Sequence, residues 1–382
     1  MRLTAILLFV IILTQDFIDL ELSVSLGFWD ANAPIADVAA LFLLPLVLKK
    51  YWQDPIPLPG IAGYGLMLIA ALLSTVNALD PVASLHHMIR KPGFMYVAYG
   101  LGVAWTVARI SSRKSVWNSL LVWLTCTAII SLSTSVARIA TGNALWFAAI
   151  SGLTPNHKTL AVGMAGILPL IFGWRGRHWK PVSILVLAAI VLSTSKTAAI
   201  IAAFSIGWFL PRDRPIMTRT RWAIPMLSLA IALAIISPVL IGSKTMLDAA
   251  RSRHSLNERA WEMFTSHPLI GSGTGMNIHY ELVTFPHYRV NGVDAHGIIQ
   301  KVGSETGVLG LIGYSGFAWA TVVGFRRRWS GDADGVEFGA MGTWVALNLG
   351  LTLSTEVFSP TWWTPLAIAW GMAHHKEPPC AS

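Results

Sequence analysis

The chain carries little charge. Asp, Glu, Lys and Arg make up 12% of its 382 residues, against about 25% in a typical soluble protein. So few charges cannot cover the surface of a water-soluble fold of this length, which excludes an ordinary soluble enzyme. Cysteine is scarcer still, with Cys126 inside an apolar run and Cys380 near the end. That excludes a disulfide scaffold and any cysteine-held zinc site. The phosphate-cradling pattern G-x-x-x-x-G-K-[ST] does not occur, and Gly271-Ser272-Gly273-Thr274-Gly275 follows no strand, so no nucleotide site is expected. The longest non-apolar stretch, about 243–302, is too small for a nucleotide-sugar-binding fold. Energy for any reaction would then come from a membrane-borne substrate or an ion gradient.

What is present is apolar: 54% of the residues are hydrophobic. At roughly 30 residues per span with its connection, the chain has room for about a dozen membrane helices. Apolar segments fall at 4–20, 33–48, 60–77, 93–109, 116–136, 158–174, 181–194, 196–210, 222–242, 303–325, 338–355 and 360–373. The expected fold is all-α, a polytopic membrane helical bundle of about 12 transmembrane helices with one long structured loop on the outer side. In this division, residues 1–242 hold transmembrane helices 1–9 and 243–302 the outer loop. Residues 303–382 hold helices 10–12 and a short cytoplasmic tail. Several segments fall short of the roughly 20 residues a clean crossing takes. The pair flanking Ser193-Thr194-Ser195-Lys196 reads as two short spans or as one broken span.

The net charge of +9 follows the rule that basic residues stay on the cytoplasmic side. With the N-terminus inside, Lys49, Lys50, Arg109, Arg113, Lys114, Arg175, Arg177 and the triplet Arg326-Arg327-Arg328 all fall there. Topology thus accounts for most of the charge, and nucleic acid is not an expected partner. Other basic residues lie outside or at membrane depth, among them Arg90, Lys91, Lys158, Lys196, Arg259 and Lys301. Positive charge there runs against the rule and costs free energy within a span. An anion-binding function on the outer face explains the exception.

A loop of nearly sixty residues among short connections suggests function rather than filler. Ser255-Leu256-Asn257-Glu258 reads as a capping box that opens a helix through Arg259, Trp261 and Phe264. His267-Pro268 stops it. The three glycines that follow permit a tight turn with backbone free to approach a ligand. Arg259 then sits in a first helical turn, where free amides and the dipole favour an anion. Downstream, Asp294, His296, Lys301 and Glu305 lead into an apolar helix. An imidazole at such a boundary can act as a general base near neutral pH.

These residues carry a resemblance. Arg259-Ala260-Trp261, then His267-Pro268-Leu269-Ile270-Gly271-Ser272-Gly273, then His296 with Glu305-Thr306-Gly307 resemble the signature region of the O-antigen ligase and Wzy-type polymerase superfamily. Upstream, Asn156-His157-Lys158 and Ser195-Lys196-Thr197, with Arg90-Lys91, are similar to segments of exopolysaccharide polymerases of that superfamily. The match runs over roughly residues 85–315. Gly297 stands where the family has Asn or Ser after the His, and Lys196 where ligases more often carry Arg.

The resemblance implies a glycosyltransferase-C-like enzyme of the bacterial inner membrane with its site on the periplasmic face. Its partners would be an undecaprenyl-diphosphate-linked oligosaccharide as donor, an acceptor glycan or lipid A core, and membrane lipids. A diphosphate suits Arg forks and Lys ammonium groups. Cations fixed beside it stabilise the negative charge that grows as the sugar–phosphate bond breaks. Arg259, Lys196, Arg90 and Lys158 are the expected diphosphate ligands. His296 is the expected base, with Asp294 and Glu305 as its partners or substitutes. The transfer would invert the anomeric carbon, with no cofactor and no metal needed.

Most of the 17 tryptophans lie near segment ends, where an interfacial belt is the ordinary explanation. Trp261, with the pair Trp362-Trp363, is kept as a sugar or lipid contact. His86-His87 looks like a metal pair, but adjacent helical side chains point about 100° apart. Three readings remain: a polysaccharide polymerase, favoured by the Lys158 and Lys196 segments; a ligase moving a finished glycan onto lipid A core; and a transporter or flippase. The transporter wants repeats and broken helices in matched positions, and no repeat between the halves is evident.

Overall fold

The computed structural model describes residues 2–15, 21–25, 30–141, 157–175, 177–193, 195–209, 244–278, 297–328, 335–352 and 359–375. The apolar runs become helices, because a backbone without water must satisfy its own hydrogen bonds. They are α1 (Arg2–Thr14), α2 (Ile35–Tyr51), α3 (Ile61–Ser74), α4 (Pro81–Met88), α5 (Ala104–Arg109), α6 (Arg113–Thr141) and α7 (His157–Trp174). Then follow α8 (Trp179–Leu192), α9 (Lys196–Phe209), α10 (Lys244–Ser266), α11 (Ile298–Arg328), α12 (Gly335–Leu351) and α13 (Pro360–Ala373). The segment 222–242 lies outside the described residues. The expected helical bundle holds, with one exception: Glu21–Ser25 (β1) and Asp30–Pro34 (β2) pair antiparallel, Glu21 opposite Pro34. This hairpin departs from an all-α chain, and its alternating Glu21-Leu22-Ser23-Val24-Ser25 pattern suits a strand rather than a helix.

Between α4 and α5 the helix continues through two π-helical stretches, Ile89–Gly93 and Tyr96–Val103. Pro92 lies in the first. Its missing N–H and its ring are incompatible with the regular ladder, and a widened turn accommodates both. Asp80 caps the start by accepting from the Ala83 N–H at 2.9 Å, with Pro81 in the first turn. At the disputed Ser193–Lys196 link, α8 and α9 are two separate helices. The Ser195 hydroxyl accepts from the Ala198 N–H at 3.3 Å and so caps α9.

Two helices, 113–133 and 298–327, are long and apolar enough by themselves to cross a membrane, while other apolar helices among the described residues are shorter. A 14-residue helix rises about 21 Å, less than the hydrocarbon thickness of about 30 Å. Packing relies on small residues, as expected where lipid supplies no hydrophobic drive between helices. α3 and α11 run antiparallel, Gly60 and Gly63 lying against Gly313, Gly316 and Phe317 so tightly that a side chain at Gly63 would collide with backbone. α13 is buried along its whole length. Beside it, Tyr64 and Tyr96 stack at 4.1 Å, with Phe317 and Trp363 edge-on to Tyr64.

One end of the bundle collects basic residues. Arg109 pairs with Asp54 at 2.8 Å and donates to the His374 carbonyl at 2.9 Å. Trp117 donates to the Arg177 carbonyl at 3.1 Å, and Trp370 packs on Phe325 beside the Arg326-Arg327-Arg328 triplet. The ends of α2, α5, α7, α11 and α13, with the start of α6, therefore meet where the positive-inside reading groups their charges.

Candidate functional site

The site lies at the other end, where α10, the glycine turn after it and the first turns of α11 meet. α10 begins at Lys244, well before the expected capping box. Residues 244–254, Lys-Thr-Met-Leu-Asp-Ala-Ala-Arg-Ser-Arg-His, contain no Gly or Pro to interrupt a helix. Ser255 consequently sits inside α10 and is buried, and Arg259 belongs to a helix interior rather than a first turn. The helix ends at Ser266, just before His267-Pro268, as the proline requires.

The turn is docked into a break in α11. Gly307, with φ 66° and ψ −164°, interrupts that helix. In an unbroken helix the Val308 and Leu309 N–H groups would donate to the Ser304 and Glu305 carbonyls. Instead they donate to the Pro268 and Leu269 carbonyls at 2.8 and 3.2 Å. The freed carbonyls of Ser304 and Glu305 accept from the Ser272 and Gly273 N–H groups at 3.0 and 3.1 Å. Four backbone bonds thus replace two, and each of these four groups keeps a partner across the break. The crossing needs glycine on both sides. A Cβ on Gly307 would lie 2.5 Å from the Leu269 carbonyl carbon, and one on Gly271 would strike the Glu305 carbonyl.

The far side of the turn rests on the 3₁₀ turn Thr75–Asn77 and on α4. Asn77 donates to the Gly271 carbonyl at 3.0 Å, and Thr274 donates to the Ser84 carbonyl at 2.8 Å. The His87 ring lies against Gly275, closely enough that a Cβ there would meet it at 2.7 Å. Within the turn, Ser272 donates to the Met263 carbonyl at 3.0 Å and its hydroxyl lies 3.2 Å from His267 Nδ1.

This frame encloses a buried polar cluster. Lys301 and Glu305, one turn apart on α11, are each under 5% exposed, with Nζ and Oε1 4.0 Å apart. Asn277 is fully buried. Its amide donates to Ser304 Oγ at 2.6 Å and to Glu305 Oε1 at 3.5 Å, while its Oδ1 meets no hydrogen-bond donor among the described residues. The Ser304 hydroxyl in turn donates to the Lys301 carbonyl at 3.1 Å. Arg259 is buried on the inner face of α10 together with Leu256, Ala260 and Met263, and α10 packs against α11. Among the described residues, this helix pair buries two cations, Arg259 and Lys301, and one carboxylate, Glu305, an electrostatic setting suited to an anion.

Of the residues expected from the sequence, Arg259 and Glu305 are buried here. His296 and Asp294 lie outside the described residues. Gly297, next to His296, has φ 100°, a left-handed conformation that favours glycine. Lys196 opens α9 and Lys158 stands in the first turn of α7, with their side chains outside the described set. Arg90 is exposed on the π-helical stretch, where its charge and that of Lys91 act on Asp37. Trp261 is 65% exposed. Sequence reasoning missed Asn277, Ser304 and the Asn77–Ser84–His87 support. Only the i,i+4 pair Lys301–Glu305 carried a spacing signal. An Asp332-Ala333-Asp334 sequence follows α11 and lies outside the described residues, after the end bearing the arginine triplet.

A cavity lined by Ile298, Tyr64, Tyr314, Phe317, Trp344 and Trp362 has a volume of about 30 Å³. It is too small for a sugar.

No curated protein matches the chain. Residues 181–315 match the Wzy_C family model, described as O-antigen ligase. The match runs from α8 to the middle of α11 and contains α10, the glycine turn and the Lys301–Glu305 pair. Over this segment, about a third of the chain, the protein is similar to the O-antigen ligase family.

Proposed function

We propose that the protein is a glycosyltransferase that moves a glycan from undecaprenyl diphosphate to an acceptor sugar hydroxyl on the periplasmic face of the inner membrane. The observation that carries this reading is the pair of buried cations, Arg259 and Lys301, within the segment that matches the family. In the reaction, the acceptor oxygen attacks the anomeric carbon and the sugar–phosphate bond breaks. The bonding electrons leave with the diphosphate, whose growing charge Arg259, Lys301 and Lys196 stabilise more in the transition state than before it. Lys158 and Arg90 complete the proposed set of diphosphate ligands. The hydroxyl proton passes to His296, which Asp294 orients. Glu305, held by Asn277 and facing Lys301, serves as the second carboxylate. Direct displacement inverts the anomeric carbon.

Lys158 and Lys196, with their flanking residues, favour a polymerase that extends the lipid-linked chain. The family description, O-antigen ligase, favours transfer to lipid A core. One assay separates these readings: purified protein, an undecaprenyl-diphosphate oligosaccharide, no nucleotide, and products sized on a gel. A ladder that disappears in Arg259→Ala and His296→Ala establishes the polymerase with this site. A single product that needs added lipid A core establishes the ligase. No turnover with any acceptor, together with donor movement across vesicles, establishes a transporter and sinks the transferase reading.

A further inference from the structure

The exposed side of the α10–α11 junction is strongly apolar. On α11 after the break, Val308, Ile312, Ser315 and Trp319 are exposed at helical spacing, Trp319 by 71%. The opposite face of the same helix, with Gly313 and Phe317, is covered by α3. The open stripe belongs to a helix long and apolar enough to cross a membrane, so lipid is its ordinary neighbour. The glycine turn extends this stripe. Backbone bonds from Val308 and Leu309 to Pro268 and Leu269 set Leu269, 73% exposed, alongside Val308. Phe264 packs against Gly303, and Trp261 lies against Phe264 at 5.6 Å, its ring 65% exposed. Ile299, one turn before Gly303, is 54% exposed.

Depth follows from helix geometry. The Arg326-Arg327-Arg328 triplet anchors one membrane surface, since arginine side chains there reach water. Counting back, about 20 residues at roughly 1.5 Å each cover the hydrocarbon thickness of about 30 Å. That distance ends at the Gly307 break, where Leu269 is docked. Trp261 lies just beyond it, in the zone where tryptophan is favoured.

We infer that Trp261, Phe264 and Leu269 form a shoulder seated in the interfacial layer of the bilayer, with lipid as its occupant, so that the C-terminal end of α10 is anchored at the membrane surface. This assigns Trp261 to lipid in place of sugar. It is independent of the glycosyl-transfer reading, since it concerns only where the shoulder sits.

The test uses the full chain in phospholipid nanodiscs, with Cys126 and Cys380 replaced by Ser. Single cysteines are introduced as W261C, L269C and N257C and labelled with a polarity-sensitive fluorophore. All three side chains are exposed, so the substitutions leave the core untouched, and elution at the wild-type volume confirms the fold. Asn257 lies one turn above Trp261 and serves as the water-facing control. Shallow doxyl-labelled lipids should quench the labels at 261 and 269 at least twofold more than the label at 257, with aqueous iodide showing the reverse order. Equal quenching of all three by iodide would overturn the inference and return Trp261 to the sugar side. Protection of 261 and 269 from both quenchers would overturn it too, because a protein partner would then cover the shoulder.

Discussion

Asn277 joins two parts of the site that no spacing rule connects. Its amide reaches Ser304 and Glu305 from the end of the glycine turn. Asn277→Ala removes both bonds inside a fully buried pocket and should cost about 1–3 kcal/mol, read as a lower unfolding midpoint in detergent. Glycan transfer should fall as well, because Glu305 loses its orientation. Lys301→Ala leaves a buried carboxylate without its neighbouring ammonium, and breaking a buried pair costs about 3–5 kcal/mol. A midpoint unchanged within error would show that Lys301 does not hold Glu305. These residues were only half legible in the sequence. Arg259 and Glu305 stood out because charge beside apolar helices is rare. Asn277 did not, since its role comes from contact with α11 across a separation of 27 residues. His86-His87 was set aside as a metal pair, and that reasoning gave no hint that His87 supports Gly275.

Among the elements, helices were the readable part. Apolar runs mark them because a helix without water satisfies its own backbone. The start of α10 was misread because a capping box signals a helix start only where the preceding residues resist helix, and 244–254 do not. The docking of the turn into α11 was invisible too, since Gly271 and Gly307 reveal their partnership only when folded. Gly307→Ala should be among the most damaging small changes. It forces a side chain into the essentially glycine-only region at φ 66°, ψ −164°, which costs about 1–3 kcal/mol, and adds a collision with the Leu269 backbone. Limited proteolysis around 268–276 should become fast in this variant and stay slow in Gly65→Ala, where an added Cβ meets nothing within 4 Å.

For the whole molecule, the polar cluster and the basic end lie at opposite ends of α11. Reporter fusions check the orientation that places the cluster outside. Alkaline phosphatase, active only outside the inner membrane, should be silent when fused after Arg328 and active when fused after Gly275. The reverse pattern would put Arg259 and Glu305 on the cytoplasmic side and remove a periplasmic transferase. The charge bias made this axis readable from the sequence. The hairpin of β1 and β2 was not, because a five-residue alternation carries little weight between long apolar helices.

The break at Gly307 is clamped on both sides, two bonds above it and two below. A joint held that way behaves as a welded elbow, and the lower limb of α11 works as a lever. A bilayer thinner or thicker than the lever's length makes it tilt, and the weld carries that tilt to Lys301 and Glu305. Reconstituted transfer activity should therefore peak at one acyl-chain length and decline on either side. A flat response from fourteen- to twenty-carbon lipids would mean that the elbow bends.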